Sequence, residues 1–176
     1  MKIIVRILAV IASLIGLVLV VALFVKNDYN VHREIVINKP ESEVFDYAKY
    51  LENQKNYNTW LMADPKAKIE SKGTDGTVGF IYSWDGNDQV GKGEQQIKNI
   101  VEGERLETEI HFIEPLEAVA HEYLLTEAAG ANQTKVTWGM KGESKYPMNF
   151  MNLFNEGMLG KEMTKSLENL KAVLEK

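Results

Sequence analysis

The chain of 176 residues carries 20 basic and 25 acidic side chains, a formal net charge of −5, and no cysteine. Disulfides, thiolate metal centres and cysteine nucleophiles are excluded, and an acidic balance does not gather nucleic acid or anionic headgroups by bulk charge. The length allows one ordinary domain, with room for a core or an internal cavity, plus a short appended segment.

The first element sets the surroundings of the rest. Ile7 to Val25 contains no charged residue, and Ser13 and Gly16 are its only non-hydrophobic members. As a helix this run is about 28 Å long, close to the hydrocarbon thickness of a bilayer. Residues 1–26 are therefore expected to form a single membrane anchor, with residues 7–25 in the membrane. The competing reading is a cleaved signal peptide cut after Ala22, with Val20 at the −3 position. Against it, the apolar run exceeds the roughly 7–15 residues of a signal peptide and ends in Leu23-Phe24-Val25 without a polar region. Lys2, Arg6 and the amino terminus outweigh Lys26, which favours a cytoplasmic amino terminus and a domain on the extracytoplasmic side. Arg33 weakens that bias. Ala9 and Ser13, and Ala12 and Gly16, give a small-residue spacing that helix pairing can use. Residues 27–176 retain 17 basic and 25 acidic side chains, a net charge of −8. The short link from Lys26 to Asn30 keeps this domain close to the membrane surface.

Asn30–Asn38 is rich in β-branched residues and reads as a strand. Pro40 and a Ser42 cap open a helix with Val44, Phe45, Ala48 and Leu51 at helical spacing. Residues 52–66 read as an irregular loop or a broken helix containing Trp60. From Ala67 the period is two: Val78, Phe80, Tyr82 and Trp84 share a face, Asp85-Gly86-Asn87-Asp88 makes a hairpin, and Gly91–Ile100 returns. Leu106, Thr108, Ile110 and Phe112 share the next buried face, with Arg105, Glu107, Glu109 and His111 opposite. Pro115 ends that strand. Val119, His121, Tyr123 and Leu125 then alternate with Ala118, Ala120, Glu122 and Leu124, and the first set is expected to point inward. After a turn at Ala129–Asn132, Val136, Trp138 and Met140 share a face. Pro147 opens a long terminal helix striped by Met151, Phe154, Met158, Leu159, Met163, Leu167, Leu170 and Leu174. Gly157 and Gly160 suggest a bend or the close approach of another element.

Several stretches carry a resemblance. They are Ile35-Val36-Ile37-Asn38-Lys39-Pro40 with Val44-Phe45, Tyr82-Ser83-Trp84-Asp85-Gly86-Asn87, Gly91-Lys92-Gly93-Glu94, Lys135-Val136-Thr137-Trp138, and the tail from Met151 through Gly160-Lys161-Glu162 to Leu170-Lys171. Over roughly residues 30–175 the chain resembles the START-related superfamily, in its bacterial branch of polyketide cyclase/dehydrase and lipid transport proteins. The resemblance implies an α+β helix-grip fold, in which a curved antiparallel sheet wraps a long C-terminal helix, here over residues 27–176. It implies no universal catalytic motif, because this scaffold hosts binding proteins, cyclases and hydrolases.

Aromatic residues at like-facing positions are the main functional signal. Phe80, Tyr82, Trp84, Phe112, Tyr123 and Trp138 can line an apolar pocket with Trp60, Ile110, Met140, Met151, Phe154 and Met158. The plain alternative is core packing between sheet and helix. His121, beside Tyr82 and Tyr123, is the candidate acid or base, with a satisfied core histidine as its plain alternative. His111 with Glu107 and Glu109 is a weak metal set and reads as a solvated face. The turn at Asp85–Asp88 lacks the later ligands of a calcium loop, and Gly91-Lys92-Gly93 is no phosphate loop. Asn132-Gln133-Thr134 is a glycosylation sequon of the kind common by chance. No cofactor or metal is expected, and the expected partners are a hydrophobic small molecule and the membrane. Three functions stay open: an anchored binding or transfer module for a lipid or polyketide-like molecule, a cyclase or dehydratase using His121 with Tyr82 or Tyr123, and a ligand-free interaction domain at the membrane.

Overall fold

A computed structural model describes residues 2–176. Helix α1 (Lys2–Ala22) is long and apolar enough to cross a membrane, and its residues 2–15 are exposed, so it projects from the domain. Strand β1 (Asp28–Ile37) and the short helix α2 (Glu41–Ala48) follow. Ser42 lies within α2; Pro40 occupies the cap position, where its fixed φ suits a helix start. A 3₁₀ turn (Leu51–Asn56) and α3 (Thr59–Met62) make up the broken helical stretch. Six further strands, β2 (Lys68–Lys72), β3 (Ile81–Asp85), β4 (Lys92–Val101), β5 (Arg105–Glu114), β6 (Ala118–Gly130) and β7 (Gln133–Glu143), lead to a second 3₁₀ turn (Met148–Met151) and the long helix α4 (Asn152–Leu174).

All seven strands form one antiparallel sheet in the order β1-β7-β6-β5-β4-β3-β2, one strand more than the sequence pattern predicts. The extra strand, β2, is an exposed edge rich in charge, which blunts further pairing. Val78 precedes β3 and is exposed, so it does not share the face of Phe80, Tyr82 and Trp84. The inner face of the sheet holds α4 through Met163, Leu167 and Leu170, with Ile37, Phe45, Leu51, Ile97 and Val136 completing the core.

The expected stripe on α4 is only half realised. Met163, Leu167, Leu170 and Leu174 are buried, but Met151, Phe154 and Met158 are 43%, 47% and 59% exposed. The change from exposed to buried falls at Gly160. Arg33 of β1 crosses the helix there, donating from Nη2 to the Glu156 carbonyl at 3.0 Å and pairing with the Glu156 carboxylate at 2.8 Å. A side chain at position 160 would collide with that guanidinium. Gly160 is thus the predicted close approach, whereas a Cβ at Gly157 would meet nothing.

Strand β6 reverses the predicted facing. Ala120, Glu122, Leu124 and Thr126 are buried, and His121 is exposed. The cause is one unpaired residue. Gly130 pairs with Gln133, but the next rung is Ala128 with Thr134, so Ala129 is a bulge. A regular ladder continued from Gly130–Gln133 would set Tyr123 against Met140 and Leu125 against Trp138. The bulge instead sets Glu122 against Met140 and Leu124 against Trp138, and a one-residue shift exchanges the two faces. Outside, the Tyr123 ring lies over Gly139, where the absence of a side chain leaves room for it.

Candidate functional site

Between sheet and α4 lies a cavity of about 160 Å³. Trp84 (β3), Ile110 and Phe112 (β5) and Met140 (β7) wall it from the sheet. Trp60 and Leu61 (α3), Val90 (the β3–β4 turn) and Leu159 (α4) close it from above. Its polar wall is Gln54, Asn58, Gln95 and Glu122. A second space of about 20 Å³, the size of one water molecule, shares Gln54, Gln95 and Glu122 with it and reaches Thr108 and Trp138.

These polar groups form two short networks. Gln95 Nε2 donates to Glu122 Oε2 at 2.8 Å and to Thr108 Oγ1 at 2.8 Å. Asn58 Nδ2 donates to Gln54 Oε1 at 3.1 Å, while Asn58 Oδ1 accepts from Trp60 N at 3.1 Å and so caps α3. All five side chains are buried. Burial pushes the Glu122 carboxyl up to about 8, against the opposing pull of hydrogen bonds from Thr108 and Trp138. At neutral pH the group is therefore mostly uncharged and carries a proton that it can donate.

The 3₁₀ turn bearing Gln54 is fixed from a distance. Asp75, in the β2–β3 connection, accepts from the backbone N–H of Leu51 at 2.9 Å, Glu52 at 3.0 Å and Gly76 at 2.8 Å. It caps the turn as an N-cap carboxylate caps a helix. Asp75→Ala is expected to lower stability by about 2 kcal/mol. Thermal unfolding of the full chain in detergent micelles checks this.

The residues singled out from sequence separate into three places. Trp60, Trp84, Ile110, Phe112 and Met140 line the cavity, with Trp138 beside it, edge-on to Trp60 at a ring-centroid distance of 6.1 Å. Phe80 and Tyr82 are buried in the core away from the cavity. Tyr123 borders only the adjoining small space, and His121, Met151, Phe154 and Met158 reach neither. His121 sits on the outer face, its Nδ1 3.7 Å from Glu109 Oε2, and the bulge in β6 is what puts it there. His111 Nε2 lies 2.9 Å from Glu109 Oε1 on the same solvated face, joined by Lys98 Nζ at 3.1 Å. His111 and Lys98 hold the Glu109 carboxyl below its ordinary value.

The polar wall was not anticipated. Thr108 falls on the inward face by alternation, but Gln95 lies in a weakly patterned strand. Glu122 belongs to the set that alternation alone assigns to the outside. A surface concavity of about 1260 Å³ at the foot of α1 is bordered by His121 and is open to solvent. Apolar walls and converging buried polar groups mark the smaller cavity as the candidate binding site.

No curated protein matches the chain significantly in sequence. Solved structures share the fold. Norcoclaurine synthase from Thalictrum flavum superposes with a TM-score of 0.64 at 10% identity, covering 84% of this chain and 93% of that one. Ara h 8.0201 gives 0.61 at 15% identity, covering 84% and 97%. A protein from Arthrobacter aurescens gives 0.56 at 20% identity, covering 85% and 86%. A family profile matches residues 29–175, the whole sheet and the helix it grips, and the chain belongs to that family, described as polyketide cyclase/dehydrase and lipid transport.

Proposed function

We propose that this chain is a membrane-anchored module that binds or transfers a hydrophobic small molecule, with residues 1–26 as the anchor and residues 27–176 as the binding domain on the extracytoplasmic side. The observation that carries the reading is the cavity of about 160 Å³ between sheet and α4, apolar on most sides and polar on one wall. A void of roughly 150 Å³ accepts a benzene ring, so one ring or a short branched head fits inside and a longer tail must extend through the mouth. The uncharged Glu122 carboxyl with Gln95 suits a head bearing a neutral oxygen rather than an ionised group, which would be desolvated there without a countercharge. The family description, which includes lipid transport, supports the same reading.

Catalysis is the second reading, and Glu122 is what favours it. A carboxyl that titrates near 8 inside a ligand cavity can give and take a proton near neutral pH. In this form the acid–base group is Glu122 rather than His121.

The test uses the full chain. Native mass spectrometry followed by solvent extraction is expected to find a discrete apolar compound. All three tryptophans of the chain lie at the cavity or beside it, so energy transfer to N-phenyl-1-naphthylamine, a neutral apolar probe, is expected to saturate. No retained compound and no saturable transfer would together reject the proposal.

A further inference from the structure

We propose that the end of the domain at the foot of α1 is a bilayer-seated face. Leu116, Tyr146, Met148, Met151, Leu153 and Phe154 would rest in the headgroup and outer acyl region of the membrane that α1 crosses. The inference rests on the anchoring reading given above and adds an orientation to it: the β5–β6 turn and the start of α4 face lipid, not water.

Four observations converge. First, these side chains are exposed, between 43% for Met151 and 64% for Leu116, and they come from separate elements, the β5–β6 turn and the segment from β7 into α4. Single exposed apolar residues are ordinary, but a gathered set marks an interaction surface. Second, five of the six border the foot of the anchor. One open cleft is lined by Lys26, Leu116, Tyr146, Met148 and Met151 together with the charged Asp28, Glu117, Lys141 and Glu143, and a neighbouring one joins Val25 and Lys26 to Leu153.

Third, foot and rim are fastened together. Asn149 Nδ2 donates to the carbonyls of Ala22 and Val25, both at 2.8 Å. Asn152 Nδ2 donates to those of Lys26 at 3.0 Å and Asn27 at 2.7 Å. The last carbonyls of a helix otherwise lack partners, so these bonds hold the exit of α1 against the start of α4. Residues so tied cannot lift away from the membrane surface while α1 stays in it. Fourth, the opposite end of the sheet presents the acidic or polar β4–β5 and β6–β7 turns, at Glu102-Gly103-Glu104 and Ala131-Asn132, whereas the β5–β6 turn at the near end puts Leu116 outward between Glu114 and Glu117, beside the polar β3–β4 turn.

Tyr146 and the flanking Lys26 and Lys145 have the chemistry of the membrane–water boundary, where amphipathic rings and snorkelling lysines settle.

The chain has no cysteine, so single labelling sites are unique. The full chain, reconstituted in phosphatidylcholine vesicles containing lipids spin-labelled along their chains, is labelled with the fluorophore NBD at L116C, M151C or F154C. V10C within α1 and N132C at the far turn serve as references. The rim labels are expected to emit further to the blue than N132C and to be quenched by the lipids at least about twofold more, as for an apolar face seated about 5–10 Å deep. Rim labels that behave like N132C while V10C is quenched would overturn the seating and leave the anchor standing. Rim labels shielded from a water-soluble quencher but untouched by the lipids would also overturn it, because a protein then covers the face. An unquenched V10C would reject the anchor, and the seating with it.

Discussion

Glu122→Gln is expected to raise the unfolding temperature of the chain at pH 7.5 by about 10 °C, and to raise it far less at pH 5. Unfolded, the carboxyl titrates near its ordinary value of 4.5; folded, it titrates near 8. Between those values the folded state holds a proton that the unfolded state has released. Stability therefore falls as pH rises through the window, by about 1.4 kcal/mol per unit and on the order of 5 kcal/mol in all. Below pH 4.5 both states are protonated, and above 8 both are ionised, so the dependence flattens at either end. The amide has nearly the same shape and can accept the Gln95 hydrogen bond, but it has no charge to desolvate. Melting curves for both chains at pH 5, 6, 7 and 8 check the prediction. A difference that does not grow with pH would show that Glu122 titrates normally.

Filling the cavity is the second large effect. Leu159→Trp combined with Ile110→Phe brings bulk in from the helix and from the sheet. Both side chains face the void, so the added atoms enter empty space before they press on neighbours. Binding of N-phenyl-1-naphthylamine is expected to weaken by at least about tenfold, equivalent to about 1.4 kcal/mol. The melting temperature is expected to stay within a few degrees, since overpacking costs arise only where space is already full. Unchanged affinity in a stably folded double variant would place the probe elsewhere, the open cleft at the foot of α1 being the next place to look.

Much of the architecture is legible from local pattern because the relevant signals are local. Strand alternation gives the facing of Leu106, Thr108 and Ile110 and of Val136, Trp138 and Met140, and Pro115 marks the end of β5. Cavity residues Trp84, Ile110, Phe112 and Met140 follow from that alternation. Three things were not legible. Strand β6 has two alternating sets, and the more hydrophobic one, with Val119, Tyr123 and Leu125, is the outer one because of a bulge that no residue type announces. The first turns of α4 are apolar yet exposed, because nothing in the helix itself says where its covering sheet stops. Gln54 and Asn58, in a polar stretch that reads as loop, are buried only through the tertiary contacts of the 3₁₀ turn and α3.

The bulge at Ala129 also bears on how the protein assembles. The β6–β7 hairpin can zip from its turn into either of two ladders one residue apart, and the short-range sequence does not choose between them. Only the bulged ladder places Glu122 beside Gln95 and Thr108 and leaves Gly139 beneath the Tyr123 ring. The first of these partnerships needs β4 and β5 already in place. Register in this hairpin is thus fixed by neighbours from elsewhere in the chain and not by the hairpin's own residues. The lining of the cavity depends on long-range pairing as much as on composition.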